Sequence, residues 1–499
     1  MNNEEDIKFE NYIKGEAKLN SEKQYIIESS CRFNANNDNF KRHYDENKIL
    51  EIHLNNMVFE QDLSFDNVKK LSLIIDDNVK FQKLYIFGCN ELSLRINGRV
   101  KIIDKISINN CKFKQISINN HIDGNIEFQN CEFNDFNLYG FSNATIKGTF
   151  TFDFCEVKEK VNFMNFEFEN KVSFKMSKFK DNVYFNNSVF KDYADFHECE
   201  FEKIACFYGV RFDKTPNFSQ AIFKGNLNVV NTNLNFTFDD LQERIKQEYT
   251  SYETQRTAKE AGVIPNLYQE KSLDKFANDF RDSFRTFKNA LIKDNNALDA
   301  SNFHKCELYC KEIELKNKKY KTLKDKMDKW QLIFYRKLCD HHTDILQSLN
   351  SLILVIGIFV ISSVAMVVGF SYSLGYKPIL EHWYFSLDFY NHHINSIIQD
   401  NCLLMIFVNL MILFIYLGLV GFALCIKYMR EFFIIISYVI TLLVLAISPK
   451  ILIPAMGIFT DKRAILDPLS VLGGIYTIIF GFVAFSFIKT IRKNSIVPS

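Results

Sequence analysis

The chain has 499 residues, with 60 Lys and Arg against 59 Asp and Glu, and it contains 50 Phe but only 18 Gly and 7 Pro. This length allows two or three domains, and the net charge of +1 argues against a broadly basic nucleic-acid-binding protein. Because about one residue in ten is Phe, an internal repeat is the first expectation. Up to about residue 345 the chain is rich in Asn, Lys, Glu and Phe, whereas from about 350 it is mostly Ile, Leu, Val and Phe.

The amino end is charged and lacks the apolar core of a signal peptide. We expect residues 1–49 to cap a repeat domain that covers 50–235, because an open coil would expose unpaired strand edges. The repeat is loose at first. "ISINN" at Ile106–Asn110 and Ile116–Asn120, followed by "IEFQN" at Ile126–Asn130, predicts steps of five residues.

The repeat becomes regular over 141–234, where large apolar residues recur in two columns of period 11. Fourteen of the eighteen column positions are Phe. Helices place apolar residues every three or four positions and strands every two, so this spacing fits neither alone. The predicted inward core residues are Phe163, Phe168, Phe174, Phe179, Phe185, Phe190, Phe196, Phe201, Phe207, Phe212, Phe218 and Phe223.

Small residues precede many of these positions by two, and cysteines are prominent among them. Cys111, Cys131, Cys155 and Cys199 are separated by 20, 24 and 44 residues, which cluster around multiples of 22. This spacing predicts a coil with four sides of five, six, five and six residues, in which the thiols stack in one buried column. A redox or metal role for these thiols is the alternative, although buried free Cys ordinarily behaves as a small hydrophobe.

The pattern resembles that of the pentapeptide-repeat family, in which the centre of each five residues is Leu or Phe and the residue two before it is small. The alternating five-six step in "ADFHECEFEKIACF" is similar to the Phe-centred subgroup of that family. The resemblance implies a right-handed quadrilateral β-helix. The stretch "DSFRTFKNALIKDNNALDASNFHKCELYCKEIEL" is similar to the linker that precedes the membrane segments in bacterial transmembrane members.

The period changes after Leu234, and residues 236–345 are predicted to be an α-helical linker. A helical stripe of five apolar residues should cover the last coil or pack on a neighbouring helix; it contains Phe276, Phe280, Phe284, Phe287 and Leu291. His304, Cys306 and Cys310 lie close in sequence, but His304 and Cys306 point apart on a helix and no fourth ligand is evident, so no metal site is predicted.

Residues 346–499 are predicted to be an α-helical membrane domain with about four spans, at 350–372, 402–426, 431–449 and 468–489. Lys and Arg concentrate before the first span, between the second and third, and after the fourth, which places both termini and the β-helix in the cytoplasm. The basic run "KNKKYKTLKDKMDKWQLIFYRK" has two interpretations. It either attracts anionic lipid headgroups or serves only as the orientation signal.

Motifs of catalysis are missing from the sequence: it has no P-loop, GxSxG, HExxH or GxGxxG. We therefore expect no enzyme activity, no catalytic residue, no cofactor and no metal. His382, His392 and His393 share a loop with Glu381 and Asp388, which would suit a metal or proton sensor. Histidines scattered at a membrane interface are commoner than such sensors, so no sensor is predicted. Mimicry of DNA is disfavoured because 141–234 carries twelve basic and twelve acidic residues.

The sequence thus predicts a multi-pass protein of a bacterial inner membrane whose cytoplasmic β-helix serves as a protein-interaction scaffold. The predicted partners are the lipid bilayer and a protein bound to a flat face of the β-helix, with no nucleic acid. The alternative is an ion channel with a two-helix pore module at 431–489, gated by the cytoplasmic domain. The chain lacks a TVGYG-type filter, and no acidic residue lies inside the apolar stretches 350–372, 402–426, 432–448 and 468–488.

Overall fold

Parallel strands wind into a β-solenoid in the first part of the chain, and helices follow. The computed structural model describes residues 18–19, 25–28, 30–36, 44–76, 78–97, 100–118, 122–134, 136–137, 145–260, 271–376, 383–425, 427–447 and 466–494. The chain divides into two compact units, Met1–Lys321 and Thr322–Ser499. Phe141 and Ala144, at the predicted start of the regular repeat, lie outside the described residues.

Strands of the amino-terminal coils are mostly long. They are β1 Lys18–Leu19, β2 Tyr25–Ile27, β3 Cys31–Asn34, β4 Leu50–Leu54, β5 Met57–Asp66, β6 Lys70–Ile75, β7 Val79–Phe87, β8 Glu91–Ile96, β9 Val100–Asn109, β10 Lys112–Ile118 and β11 Ile122–Gln129. Strands β2 and β3 pair in parallel with β5, while β1 pairs antiparallel with β2. Stacked β-structure therefore begins within the stretch 1–49 that was predicted to be a cap.

Strands of the later coils are mostly two residues long. They are β12 Glu132–Phe133, β13 Phe136–Asn137, β14 Thr145–Ile146, β15 Phe150–Asp153, β16 Glu156–Val157, β17 Val161–Asn162, β18 Glu167–Phe168, β19 Val172–Ser173, β20 Lys178–Phe179, β21 Val183–Tyr184, β22 Val189–Phe190, β23 Ala194–Asp195, β24 Glu200–Phe201, β25 Ala205–Cys206, β26 Arg211–Phe212, β27 Ile222–Phe223, β28 Leu227–Asn228 and β29 Asn233–Leu234.

Parallel pairing arranges these short strands into four flat faces, which confirms the four-sided coil. Face A contains β14, β18, β22, β26 and β29, and face B contains β15, β19 and β23. Face C contains β12, β16, β20, β24 and β27, and face D contains β17, β21, β25 and β28. Each coil passes through the faces in the order A, B, C, D.

The coil length in the regular repeat is 22 residues, as Glu167 pairs with Val189 and Val189 with Arg211. The amino-terminal coils deviate from this length. Leu71 pairs with Leu92 after 21 residues, Ile106 with Ile126 after 20, and Ile126 with Phe150 after 24. The predicted five-residue steps thus apply to the coil that follows Ile106 and do not extend to the coils before it.

The corners explain why the inward Phe residues alternate in steps of five and six. The corner from face B to face C contains a residue with positive φ, such as Met176 at 54°, and so does the corner from D to A, such as Asn187 at 57°. These tight corners lie in the five-residue steps. The other two corners lack a positive φ among the described residues of the regular repeat, and their steps are six residues long.

Aromatic rings fill the solenoid in columns that follow the 22-residue period. Phe190, for example, stacks between Phe168 and Phe212 with ring centroids 4.9 and 5.0 Å apart. Of the twelve predicted core residues, eleven are buried, and Phe223, in the last coil, is partly buried. Stacked neighbours of this kind add to the free energy gained from burial of apolar area.

The predicted cysteine column exists and is longer than expected. Cys111, Cys131, Cys155 and Cys199 are all buried free thiols at the corner from face B to face C. Cys89 precedes them, and Ser177 occupies the coil between Cys155 and Cys199. Burial raises the pKa of the Cys89 thiol to about 12, which keeps it protonated and unreactive.

Helices cover the carboxyl end of the solenoid: α1 Phe238–Glu260, α2 Leu273–Lys293 and α3 Ala297–Asn317. Phe287 of α2 lies over the last coil, with its ring 4.7 Å from that of Phe218. Phe276 of the same helix contacts Tyr249 and Tyr252 of α1. The predicted apolar stripe therefore packs both on the solenoid and on a neighbouring helix, and it protects the last strand edges.

The second unit is helical. It contains α4 Leu323–Cys339, α5 Ile345–Ser373, α6 Trp383–Asp400, α7 Cys402–Cys425, α8 Lys427–Ile447 and α9 Pro468–Asn494. Within the described residues, three segments are long and apolar enough to cross a membrane, namely Ile345–Ser373, Cys402–Leu424 and Pro468–Arg492. The third predicted span, 431–449, overlaps α8 and extends beyond the described residues, so its crossing stays a prediction.

Close contacts show the relative directions of α5, α8 and α9 in this unit. Arg430 of α8 donates to Ser351 of α5, and a Cβ on Gly357 of α5 would lie 2.7 Å from the Ser437 Cα, so α5 and α8 run in the same direction. Phe359 of α5 stacks on Tyr476 of α9 at 4.0 Å. Together with the contact of His342 and Thr490, this makes α9 antiparallel to α5.

Candidate interaction surface

Charged side chains on faces A and C pair with one another from coil to coil. On face C, Lys180 pairs with Glu156 and Lys224 with Glu200, while on face A Lys191 pairs with Glu167. The side-chain hydrogen bond from Lys224 is the main cause that lowers the pKa of Glu200. Exposed pairs of this kind contribute little to stability. Their main effect is to neutralise both faces, which leaves little charge to attract a partner.

Helix α1 lies against face B near the carboxyl end of the solenoid. The Tyr193 hydroxyl donates to Glu248 at 2.9 Å, and the Arg244 guanidinium lies 3.1 Å from the centre of the Tyr193 ring. Arg244 also pairs with Glu248. This stretch of face B is therefore occupied by the chain itself.

Asp195 lies on the same covered stretch and is only partly exposed. Its carboxylate accepts a hydrogen bond from the backbone N–H of His197 at 2.9 Å. Desolvation, and secondly the charge of Glu248, raise the pKa of Asp195 to about 7. The attachment of α1 thus contains a carboxyl group that titrates close to neutral pH.

Face D differs from the other faces in that its strands carry no charged outward residue in the described coils. The outward strand positions are Asn162, Tyr184, Cys206 and Asn228, and the positions two residues later are Met164, Asn186, Tyr208 and Val230. Cys206 is buried, whereas Tyr208 is exposed. Tyrosine and asparagine offer apolar area and hydrogen bonds with little conformational entropy to lose, which suits protein recognition.

Charged residues lie beside the strands of face D. Lys203 pairs with Asp181 at 2.9 Å, and the Lys160 ammonium lies 4.9 Å from the centre of the Tyr184 ring. The Asn231 side-chain amide donates to the Tyr208 hydroxyl at 3.1 Å, which orients that ring at the carboxyl end of the face. The strands of face D thus carry no charged residue themselves, while the Lys160 ammonium from the preceding corner lies over the Tyr184 ring.

In the described part of the chain, the histidines and cysteines of helices α1 to α3 and of the second unit do not form a cluster that could hold a metal ion. Cys306 and Cys310 are buried in α3, and His304 contacts Glu307 at 3.1 Å. His393 contacts the carbonyl oxygen of Phe389 at 2.9 Å. His382 and Glu381 lie outside the described residues, and the side chain of Asp388 is not described.

An apolar cavity of about 520 Å³ lies between α5, α6, α7 and α9. Its lining is almost wholly hydrocarbon, with Ser362 and the two tyrosines Tyr390 and Tyr416 as the polar exceptions. Beside it, the Tyr390 hydroxyl donates to Asp467, which also accepts from Ser470 at the start of α9. The cavity is suited to hydrocarbon rather than to a hydrated ion.

Comparison with known proteins gives no match, whether with protein-family models, with curated proteins or with solved structures.

Sequence reasoning predicted that a flat outward face would bind a partner, but it did not identify the face. The signal was present in the fragments "VNFMN", "VYFNN", "ACFYG" and "LNVVN", which recur every 22 residues without a charge. The contact of Tyr193 with Glu248 had no such signal, because the two residues are 55 positions apart and belong to different elements.

Proposed function

We propose that this protein is a membrane-anchored interaction scaffold of the pentapeptide-repeat type. The β-solenoid with its Phe-filled coils supports the relation to that family, and the alternating five-six step favours the Phe-centred subgroup. The apolar helices of the second unit provide the anchor. The distribution of Lys and Arg favours a bacterial inner membrane protein with both termini in the cytoplasm. No catalytic role is proposed.

The observation that carries the proposal is the neutral, open surface of face D. Faces A and C satisfy their charges internally, and α1 occupies part of face B. Face D alone combines exposed tyrosine and asparagine with freedom from charge in the described coils, so we place the protein partner there.

Site-specific photo-crosslinking in cells tests this placement. A benzophenone amino acid at Tyr184 or Tyr208 should capture a defined partner, whereas the same group at Lys178 or Lys191 should not. The captured partner is then purified and its affinity for the full chain measured. Tyr184→Ala with Tyr208→Ala should weaken binding by roughly tenfold or more, since interface tyrosines commonly contribute above 1 kcal/mol. Equal capture from all four positions would refute a specific role of face D.

A channel remains the second candidate because α8 carries buried hydroxyl groups. In the described part of the chain, the Ser437 and Thr441 hydroxyls have no hydrogen-bond partner, and they lie one helical turn apart. Polar groups facing a bundle interior are a feature of ion pathways. Planar-bilayer recordings decide between the candidates: unitary currents altered by Ser437→Ala and Thr441→Ala would favour the channel, and a silent bilayer with inserted protein would favour the scaffold.

A further inference from the structure

Helix α4 carries an exposed apolar stripe immediately before the first membrane-spanning helix. Leu323, Met327 and Trp330 are 75%, 65% and 69% exposed, and Phe334 continues the row. The spacings of four, three and four residues place all four side chains on one side of the helix. A stripe of this size facing water would be costly, so it indicates a contact surface.

The helix is ordered by its own sequence. The Thr322 hydroxyl accepts from the Asp325 N–H at 3.1 Å, and the Asp325 carboxylate accepts from the Thr322 N–H at 2.9 Å, which forms a capping box. At the other end, the side-chain amide of Gln347 donates to the carbonyl oxygens of Arg336 and Lys337. The stripe is thus presented by a helix fixed at both ends.

The stripe is continuous with the apolar surface of a spanning helix. The Phe334 ring lies 6.0 Å from that of Phe482 in α9, and Phe482 and Phe485 are exposed large apolar residues of that helix. In a bilayer these α9 side chains contact lipid. Because the stripe of α4 adjoins these side chains through Phe334, it can contact lipid as well.

Charge completes the pattern. Lys324 and Lys326 are exposed and flank the stripe at helical spacing, whereas Asp325 and Asp328 lie on the opposite side of the helix. An amphipathic helix with basic flanks and an apolar stripe containing Trp is the form that lies in the plane of a membrane interface. Lysines near a bilayer attract anionic lipid headgroups by about 1 kcal/mol each.

We propose that α4 lies in the membrane interface, with Leu323, Met327 and Trp330 inserted among the lipids and with Lys324 and Lys326 bound to anionic headgroups. The inference depends on the membrane crossing of α5 and not on the scaffold role. A protein with no partner on face D would still show it.

Tryptophan fluorescence tests the proposal, because Trp330 and Trp383 are the two tryptophans of the chain. The Trp383→Phe variant of the full chain is reconstituted into vesicles of phosphatidylcholine alone or of equal parts phosphatidylcholine and phosphatidylglycerol. The probes are lipids brominated high on the acyl chain, and iodide in the water. We expect bromine to quench Trp330 strongly and iodide to quench it weakly, most clearly in the anionic vesicles.

Charge removal separates the two parts of the proposal. Lys324→Gln with Lys326→Gln should lower the ratio of inserted to uninserted α4 about fivefold per lysine in anionic vesicles. The control Lys214→Gln with Lys224→Gln, which removes two solenoid charges, should change nothing. Strong iodide quenching with no bromine quenching in both vesicles would overturn the insertion of α4. Equal insertion in both vesicles, unchanged by the lysine variants, would overturn the recognition of anionic lipid.

Discussion

Ser177 and Phe152 lie in consecutive coils, and the Ser177 hydroxyl donates a hydrogen bond to the Phe152 carbonyl oxygen at 2.7 Å. The same hydroxyl accepts from the backbone N–H of Cys155 at 2.9 Å. The Ser188 hydroxyl connects the carbonyl oxygen of Phe163 with the N–H of Phe166 in the same way. Small polar side chains therefore satisfy backbone groups that the corners leave unpaired between the two-residue strands.

Ser177→Ala should lower the free energy of unfolding by about 1–3 kcal/mol, because it leaves a buried carbonyl and a buried N–H without their partner. Ser177→Cys should cost less, because Cys155 and Cys199 occupy the equivalent position in the adjacent coils. Denaturant unfolding of the full chain in detergent, followed by circular dichroism, measures both. Equal losses for Ala and Cys would show that a thiol does not replace the hydroxyl at this corner, and an unchanged stability of Ser177→Ala would show that the hydrogen bonds do not matter.

Phe190→Ala should destabilise the solenoid by about 3–5 kcal/mol, since it empties a site inside a continuous aromatic column. Phe223 provides the comparison, as it is partly buried at the end of its column and stacks on Phe201 from one side. Phe223→Ala should therefore cost clearly less in the same unfolding experiment. A loss at Phe223 as large as that at Phe190 would argue against the column as the source of stability.

The attachment of α1 should weaken as pH rises through 7. The pKa of Asp195 is raised from 3.8 to about 7, so between these values the folded chain binds one more proton than the unfolded chain. The resulting stabilisation is complete below pH 3.8, declines as the pH rises from there, and is fully lost once the pH has passed 7. Between pH 6 and pH 8 the loss should amount to about 1 kcal/mol.

Asp195→Asn should remove this part of the pH dependence, because the amide stays neutral at every pH. The unfolding midpoint in denaturant, measured at pH 6 and at pH 8, provides the comparison, and Asp213→Asn on face A serves as the matched control. If the wild-type chain and Asp195→Asn differ by the same amount at both pH values, the carboxyl does not titrate as stated.

Gly357→Ala should destabilise the second unit by about 1–3 kcal/mol. A Cβ at this position would lie 2.1 Å from the Ser437 Oγ and 2.7 Å from the Ser437 Cα, so α5 and α8 would have to separate. Gly369→Ala is the matched control on the same helix, because nothing lies within 4 Å of its Cβ position. Thermal unfolding in detergent measures both, and equal midpoints would mean that the two helices do not pack closely at Gly357.

Much of the solenoid was predictable because its order is periodic. The 11-residue columns located Phe190 and its neighbours in the core, and the spacing of Cys155 and Cys199 gave the coil length. Ser177 lies 22 residues after Cys155 and 22 residues before Cys199, so it belongs to the same column. A search for cysteine alone misses it. Here the chemistry shared by a hydroxyl and a thiol, not the residue name, was the informative property.

Features outside the repeat were less predictable. The sequence predicts a loop around His392 and His393, whereas the structure forms helix α6 there, at Trp383–Asp400. Contacts such as that of Tyr193 with Glu248 depend on where the solenoid ends and how the chain turns back, which no local pattern encodes.

Because each coil of the regular repeat takes 22 residues, duplication of one coil would lengthen the rod by ~4.8 Å and return every later residue to its own face. A deletion of 11 residues would instead move all later face D residues to the side of face B. Evolution can therefore alter the reach of this protein in whole coils without altering what it presents, whereas a half-coil change would turn its neutral surface to the opposite side.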